Sequence, residues 1–169
     1  FKQLKKELLQ QVLPELDSAS YRQVSQCLQR LCRLTDQALL DIWVQSGLKE
    51  PLCLLGVGGY GRGEVFPYSD VDVLVLLPND CHIEDDPVLK QQVERFIGLC
   101  WDMGLEIGSS VRTLDECLTE SAKDITVQTS LLESRHLAGS ASLAREFQQL
   151  FLRKLLPSDF FVAKTLEMN

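Results

Sequence analysis

Asp70 and Asp72 stand immediately before Val73-Leu74-Val75-Leu76-Leu77, an unbroken apolar run stopped by Pro78-Asn79-Asp80. Five consecutive apolar residues suit a strand buried on both faces, and such a strand needs cover on each side. The chain is therefore expected to build a sheet with helices around it. Residues i and i+2 of a strand point to one face, with Cα atoms about 6.6 Å apart. Two ionised carboxylates that close repel each other unless a cation lies between them. Mg2+ answers that need, since it takes oxygen ligands from one or two carboxylates plus substrate phosphates. Two such ions, roughly 3.5–4 Å apart, stabilise both the attacking and the leaving oxygen of an in-line displacement at phosphorus. The plainer alternative is a pair of solvated acids at a strand start.

Upstream lies Gly56-Val57-Gly58-Gly59-Tyr60-Gly61-Arg62-Gly63-Glu64, with five glycines in eight residues. Backbone so free of side chains turns tightly and can aim N–H groups at an anion. Arg62 adds a fixed cationic fork suited to phosphate oxygens. A glycine turn alone is weak evidence, as is an Asp-x-Asp alone. Strand, glycine cluster, short spacer, Ser69-Asp70-Val71-Asp72 and buried strand in that order form a much rarer pattern. Gly56-x-Gly58-x-x-Gly61 also matches the dinucleotide-binding fingerprint, which requires a helix to open at once. Residues 62 to 69 show no helical stripe and include Pro67, and Leu76 falls about where the ribose-binding acid belongs. That context test fails. A P-loop fails too, because no Gly-Lys-Ser/Thr follows the glycines.

Elsewhere the periodicity is mainly helical. Phe1, Leu4, Leu8 and Val12 recur at helical spacing before Pro14, and a longer helix is expected from an N-cap at Ser18 or Ser20 to Gly47. Leu52 to Leu55 reads as a strand. Asp86-Pro87 opens a helix running to Gly104, and Leu105 to Val111 reads as a further strand. Thr113-Leu114-Asp115-Glu116 fits a capping box. Helices are expected over 125–138 and 142–156, with a last one from Pro157. Trp43 and Trp101 both lie on apolar helical stripes and are expected in the core. The fold class expected is α+β (α/β), a small mixed sheet divided as 1–47 amino-terminal helices, 48–118 core, and 119–169 helical subdomain.

Composition excludes several function classes. A net charge of −7 provides no basic stripe for a nucleic-acid backbone, and no apolar run reaches membrane-spanning length. Six cysteines without a C-x-x-C pair read as buried free thiols in a reducing cytoplasm. Two histidines, His82 and His136, are too few for a Cys/His zinc site and are expected to have no chemical role. The start at Phe1, without a signal-peptide pattern, leads us to expect a segment of something longer.

Gly58-Gly59-Tyr60-Gly61-Arg62-Gly63-Glu64 with Ser69-Asp70-Val71-Asp72 resembles the DNA polymerase beta-like nucleotidyltransferase superfamily. Within it the chain looks most like the amino-terminal domain of the bacterial PII-protein uridylyltransferase (uridylyl-removing) family. The resemblance continues through Leu105-Glu106-Ile107-Gly108, Ser110 to Cys117, Asp124 to Thr129, Leu132 to Arg135 and Pro157-Ser158-Asp159. It covers roughly residue 50 to the end. It implies transfer of UMP from UTP to a tyrosine hydroxyl of the small nitrogen-signalling protein PII, releasing pyrophosphate, with Mg2+ or Mn2+. Asp70 and Asp72 would hold the metal, and Gly58, Gly59 and Ser69 would contact the triphosphate. The expected nucleotide-binding set also includes Gly61, Arg62, Gly63 and Arg112, the last either binding phosphate or pairing with Glu106. The superfamily commonly uses a third carboxylate; Glu106 is the candidate, or else a solvated edge acid, and Asp124 is expected to cap its helix. Ser109 stands where that family has histidine. Full-length members also carry a hydrolytic HD domain and glutamine-sensing ACT domains. With no His-Asp dipeptide here, UMP removal is not expected of this segment. The alternatives are a nucleotidyltransferase of other specificity, such as protein adenylylation, and a non-catalytic nucleotide-binding module.

Overall fold

The computed structural model describes residues 2–12, 21–65 and 70–155. The expected breaks at Pro14 and at Ser18 or Ser20, Ser69, and the helix from Pro157 lie outside the described residues. Two helices come first, α1 (Lys2–Val12) and α2 (Tyr21–Ser46), followed by β1 (Cys53–Gly56) and the single turn α3 (Gly58–Gly61). Next come β2 (Val71–Leu77), a 3-10 turn (Ile83–Asp85), α4 (Pro87–Asp102) and β3 (Ile107–Thr113). The chain continues through α5 (Leu114–Lys123), α6 (Ile125–Leu132), β4 (Arg135–Gly139) and α7 (Ala141–Leu155).

The strands form one mixed sheet in the order β3-β2-β1-β4. β1 runs antiparallel to β2 and β4, and β2 runs parallel to β3. The apolar run of β2 is explained by cover on both faces, since successive side chains alternate across a sheet. Val73, Val75 and Leu77 pack with Leu39, Ile42 and Trp43 of α2 and with Phe96 and Cys100 of α4. Leu74 and Leu76 pack on the other face with Leu114, Cys117, Leu131, Phe147 and Phe151 from α5 to α7.

The expected start signals operate as read. Asp86 accepts from the Leu89 amide with Pro87 in the first helical turn, and Thr113 accepts from the Glu116 amide. Asp124 caps α6 through the Thr126 amide. All six cysteines are free thiols, five of them buried. Among the described residues no helix is long and apolar enough to cross a membrane.

Three expectations need correction. The helix expected over 125–138 ends at Leu132, and Arg135–Gly139 is a strand. Arg-His-Leu-Ala carries no strong β preference, but the open edge of β1 supplies backbone partners that local propensity cannot reveal. Strand β3 lies two residues later than expected, because it follows β2 residue for residue from Val71↔Ile107 to Leu77↔Thr113. Trp101 is 57% exposed, whereas Trp43 is 5% exposed and meets Phe96 edge-on at 6.1 Å. Trp101 sits beside the helix terminator Gly104 on the rim of α4, where little packs over it. Trp43→Ala should therefore cost about 3–5 kcal/mol of unfolding free energy, and Trp101→Ala less than about 1 kcal/mol, measured by urea denaturation.

Candidate active site

Asp72 is the second residue of β2 and points to the same face as Leu74 and Leu76, towards α6. Its strand partner is Gly108 of β3. A Cβ built at Gly108 would lie 2.5 Å from Asp72 Oδ1, so the carboxylate occupies the space that only glycine leaves open. The mainchain is fastened at the same point. The Val57 amide donates to the Asp72 carbonyl at 3.0 Å, which holds the end of β1 and the start of α3 against β2. Asp70 precedes the strand and is exposed. Burial, and next the charge of Asp70, raise the Asp72 carboxyl above its ordinary value of 3.8.

The glycine cluster does not open a long helix. It makes the single turn α3, entered through extended Val57 and left through Gly63 at φ 80°. Gly58 has φ 59°, and its Cα faces Asp72 Oδ2 and Ser130 Oγ. The first amides of a helical turn have no acceptor inside the turn, so those of Gly58 and Gly59 begin α3 beside the carboxylate. Gly61 serves another purpose: a Cβ there would fall on the Glu133 carbonyl, so the turn packs directly against the chain leaving α6.

Beside Asp72 a cleft of about 300 Å3 opens between β3 and α6, at the lower end of ligand-pocket sizes. Gly108, Ser109, Ser110 and Arg112 line it from β3, and Thr126 and Ser130 from α6. Arg112 thus faces the cleft. It does not pair with Glu106: six residues along an extended strand separate them by about 20 Å, and no ion pair joins them among the described residues. Glu106 lies one residue before β3, where its carbonyl accepts from the Val71 amide at 2.9 Å. That contact sets Glu106 level with Asp70 at the mouth of the β2–β3 pair. Arg62 does not line the cleft; its guanidinium pairs with Glu64 at 3.3 Å and with Glu133. His82 and His136 are exposed.

The donor set suits a hard divalent cation: two exposed carboxylates, one of them seated against Gly108. No group of three His, Cys, Asp or Glu side chains is arranged to hold a metal among the described residues. A cation completed by phosphate and water needs no more than one or two carboxylates from the protein.

Sequence reasoning missed Thr126 and Ser130. Their spacing of four residues places both on one face of α6, but Gln128 and Thr129 in the same helix are polar too, so no pattern singled the pair out. It also missed Asp36 of α2, which joins Tyr60 and Arg135 behind the glycine turn. No local pattern announces a partner 99 residues away.

Residues 53–129 match the family model for nucleotidyltransferase domains. Bifunctional uridylyltransferase/uridylyl-removing enzymes from Burkholderia lata and Burkholderia orbicola are each 49% identical over all 169 residues. The chain spans 18% of the length of those relatives. A crystal structure of a toxin–antitoxin with AMP-PNP superposes on 79% of this chain and 94% of its own, at 16% identity and a TM-score of 0.43. The mixed sheet, the matched stretch from β1 into α6 and the full-length identity lead to one statement: the chain carries a nucleotidyltransferase domain and belongs, over its whole length, with the corresponding part of the bifunctional uridylyltransferase/uridylyl-removing enzymes.

Proposed function

We propose that this domain transfers UMP from UTP to a tyrosine hydroxyl of a PII-type signalling protein, in the cytoplasm, releasing pyrophosphate. The observation that carries the reading is the Asp72 carboxylate seated against Gly108 beside the glycine turn, with an open cleft next to it. Names of relatives at 49% identity support uridylyl as the group transferred. Six free cysteines fit a reducing compartment.

In this reading Asp70 and Asp72 hold Mg2+ or Mn2+, with Glu106 at the mouth of the same strand pair as the third carboxylate. The bound ion supplies charge neutralisation on the triphosphate. The chain's own part is positioning and electrostatics, which carry most of the catalysis in phosphoryl-type transfers. Gly58 and Gly59 present amides to phosphate oxygens, aided by Ser69, and Gly61 and Gly63 shape the turn that offers them. Arg112 reaches phosphate or the acceptor from the far wall. Arg62 acts on the nucleotide only by leaving Glu64 and Glu133; in the structure it stabilises the turn's exit. The acceptor oxygen forms a bond to the α-phosphorus as the bond from that phosphorus to the bridging oxygen breaks. Pyrophosphate leaves with the bond's electrons, and the hydroxyl proton passes to a carboxylate of the aspartate pair. Thr126 and Ser130 offer hydroxyls to the nucleoside.

Calorimetric titration of UTP and ATP with Mg2+ tests this reading. UTP should bind in a metal-dependent manner, and Asp70→Asn with Asp72→Asn should weaken it at least tenfold. Preference for ATP would redirect the reading to adenylyl transfer, and no binding of either nucleotide would turn it to a non-catalytic module. Gly108→Ala should lower transfer of labelled UMP roughly a hundredfold by displacing Asp72, with the protein still folded.

The raised Asp72 carboxyl gives a separate prediction with a definite sign. Folding disfavours its charged form, so ionisation between 3.8 and the higher folded value removes stability. Metal-free Asp72→Asn should therefore melt above the wild type at pH 7, and the difference should vanish below 3.8. Thermal unfolding followed by circular dichroism against pH reads both outcomes.

A further inference from the structure

The turn α3 has four residues, too few to persist unaided. Its N-cap, Val57, provides no side-chain hydrogen bond. Something else must fix its pose against Asp72. Residues 58 and 60 lie about 200° apart around a helix, so while Gly58 faces Asp72, the Tyr60 side chain points to the opposite side. There it is 2% exposed and lies against α2. The Tyr60 hydroxyl donates to Asp36 Oδ1. Arg135, from β4, donates to Asp36 Oδ2 at 2.8 Å and to Oδ1 at 3.1 Å, a two-pronged pair. The same guanidinium donates to the Tyr60 carbonyl at 3.2 Å and lies 4.9 Å from the centre of the tyrosine ring. Both the side chain and the mainchain of Tyr60 are thereby gripped by one buttress made from α2 and β4.

We propose that Asp36, with Arg135, is a positioning residue for nucleotide binding. It touches no substrate. By holding Tyr60 it sets how far the Gly58 and Gly59 amides stand from the carboxylate and hence from the phosphates. This rests on the function proposed above, since it assumes that the glycine turn meets a triphosphate. It also gives the amino-terminal helix a part in the site, although α2 lies outside the stretch that matches the family model.

The experiment uses the protein at its full length. Asp36→Asn keeps an acceptor for Tyr60 but discards the ion pair, Tyr60→Phe discards only the hydroxyl, and Asp41→Asn on the outer face of α2 is the control. Nucleotide affinity with Mg2+, KM and kcat for transfer, and Tm are measured for each. Asp36→Asn should raise Kd and KM for the nucleotide about tenfold, with a smaller change in kcat. Tyr60→Phe should move both in the same direction by less, and Asp41→Asn should move neither. Variants that melt earlier but keep the wild-type Kd and KM would mark the buttress as purely structural and overturn the proposal. Should Asp36→Asn not fold, Tyr60→Phe alone decides by the same criterion. Wild type that binds no nucleotide would overturn both readings. Wild-type binding that Asp72→Asn abolishes and the buttress variants leave intact would overturn this one alone.

Discussion

Two negative charges have to stand at the end of a strand whose other residues exclude water. That conflict organises the molecule. β2 cannot be solvated along Val73 to Leu77, so helices cover both of its faces. It cannot be covered at Asp70 and Asp72, so the cover stops there and a cleft opens. The parallel neighbour β3 yields at the same level by placing glycine opposite Asp72. The carboxylate stays close to a wall without being enclosed by one, and partial loss of water there, with the charge of Asp70, raises its proton affinity.

Much of this was legible because it is written in short-range terms. Alternation, helix caps and the Asp-x-Asp spacing depend on neighbours within a few residues, and Asp86, Thr113 and Asp124 act as their positions indicate. What stayed hidden depends on partners far along the chain. Arg135–Gly139 is a strand only because β1 has an open edge. Trp43 and Trp101 sit on similar stripes, and only the packing of α2 against α4 separates the buried one from the exposed one. Within the candidate site, Asp70, Asp72 and the glycines could be picked out from spacing, whereas the hydroxyl wall of α6 and the Asp36 contact could not. Arg62 shows what residue type alone omits: its guanidinium suits phosphate, and in this structure it pairs with two carboxylates.

The glycine turn also shows how a weak element is made definite. A single helical turn contributes little of its own, and its first amides have no acceptor inside it. Its order is imported from three directions: the Val57 amide on β2, the Glu133 carbonyl under Gly61, and the buried tyrosine behind it. Burial, and then the bond to Asp36, keep the Tyr60 phenol above its usual 10.0, so it remains a neutral donor. The turn is thus held by the sheet and by α2, through the contacts of Tyr60 with Asp36 and Arg135.

β4 lies outside the matched stretch but closes the sheet, and α7 beyond it covers Leu55 and Leu74 with Phe147 and Phe151. A fragment trimmed to residues 53–129 would keep the glycine cluster and the aspartates and lose its seal. β1 would present unpaired mainchain groups next to a bared apolar face, the combination through which strands recruit other chains. The borders of the site and of its cover therefore differ: the matched stretch carries the glycine cluster and the aspartates, while resistance to self-association is supplied from its flanks.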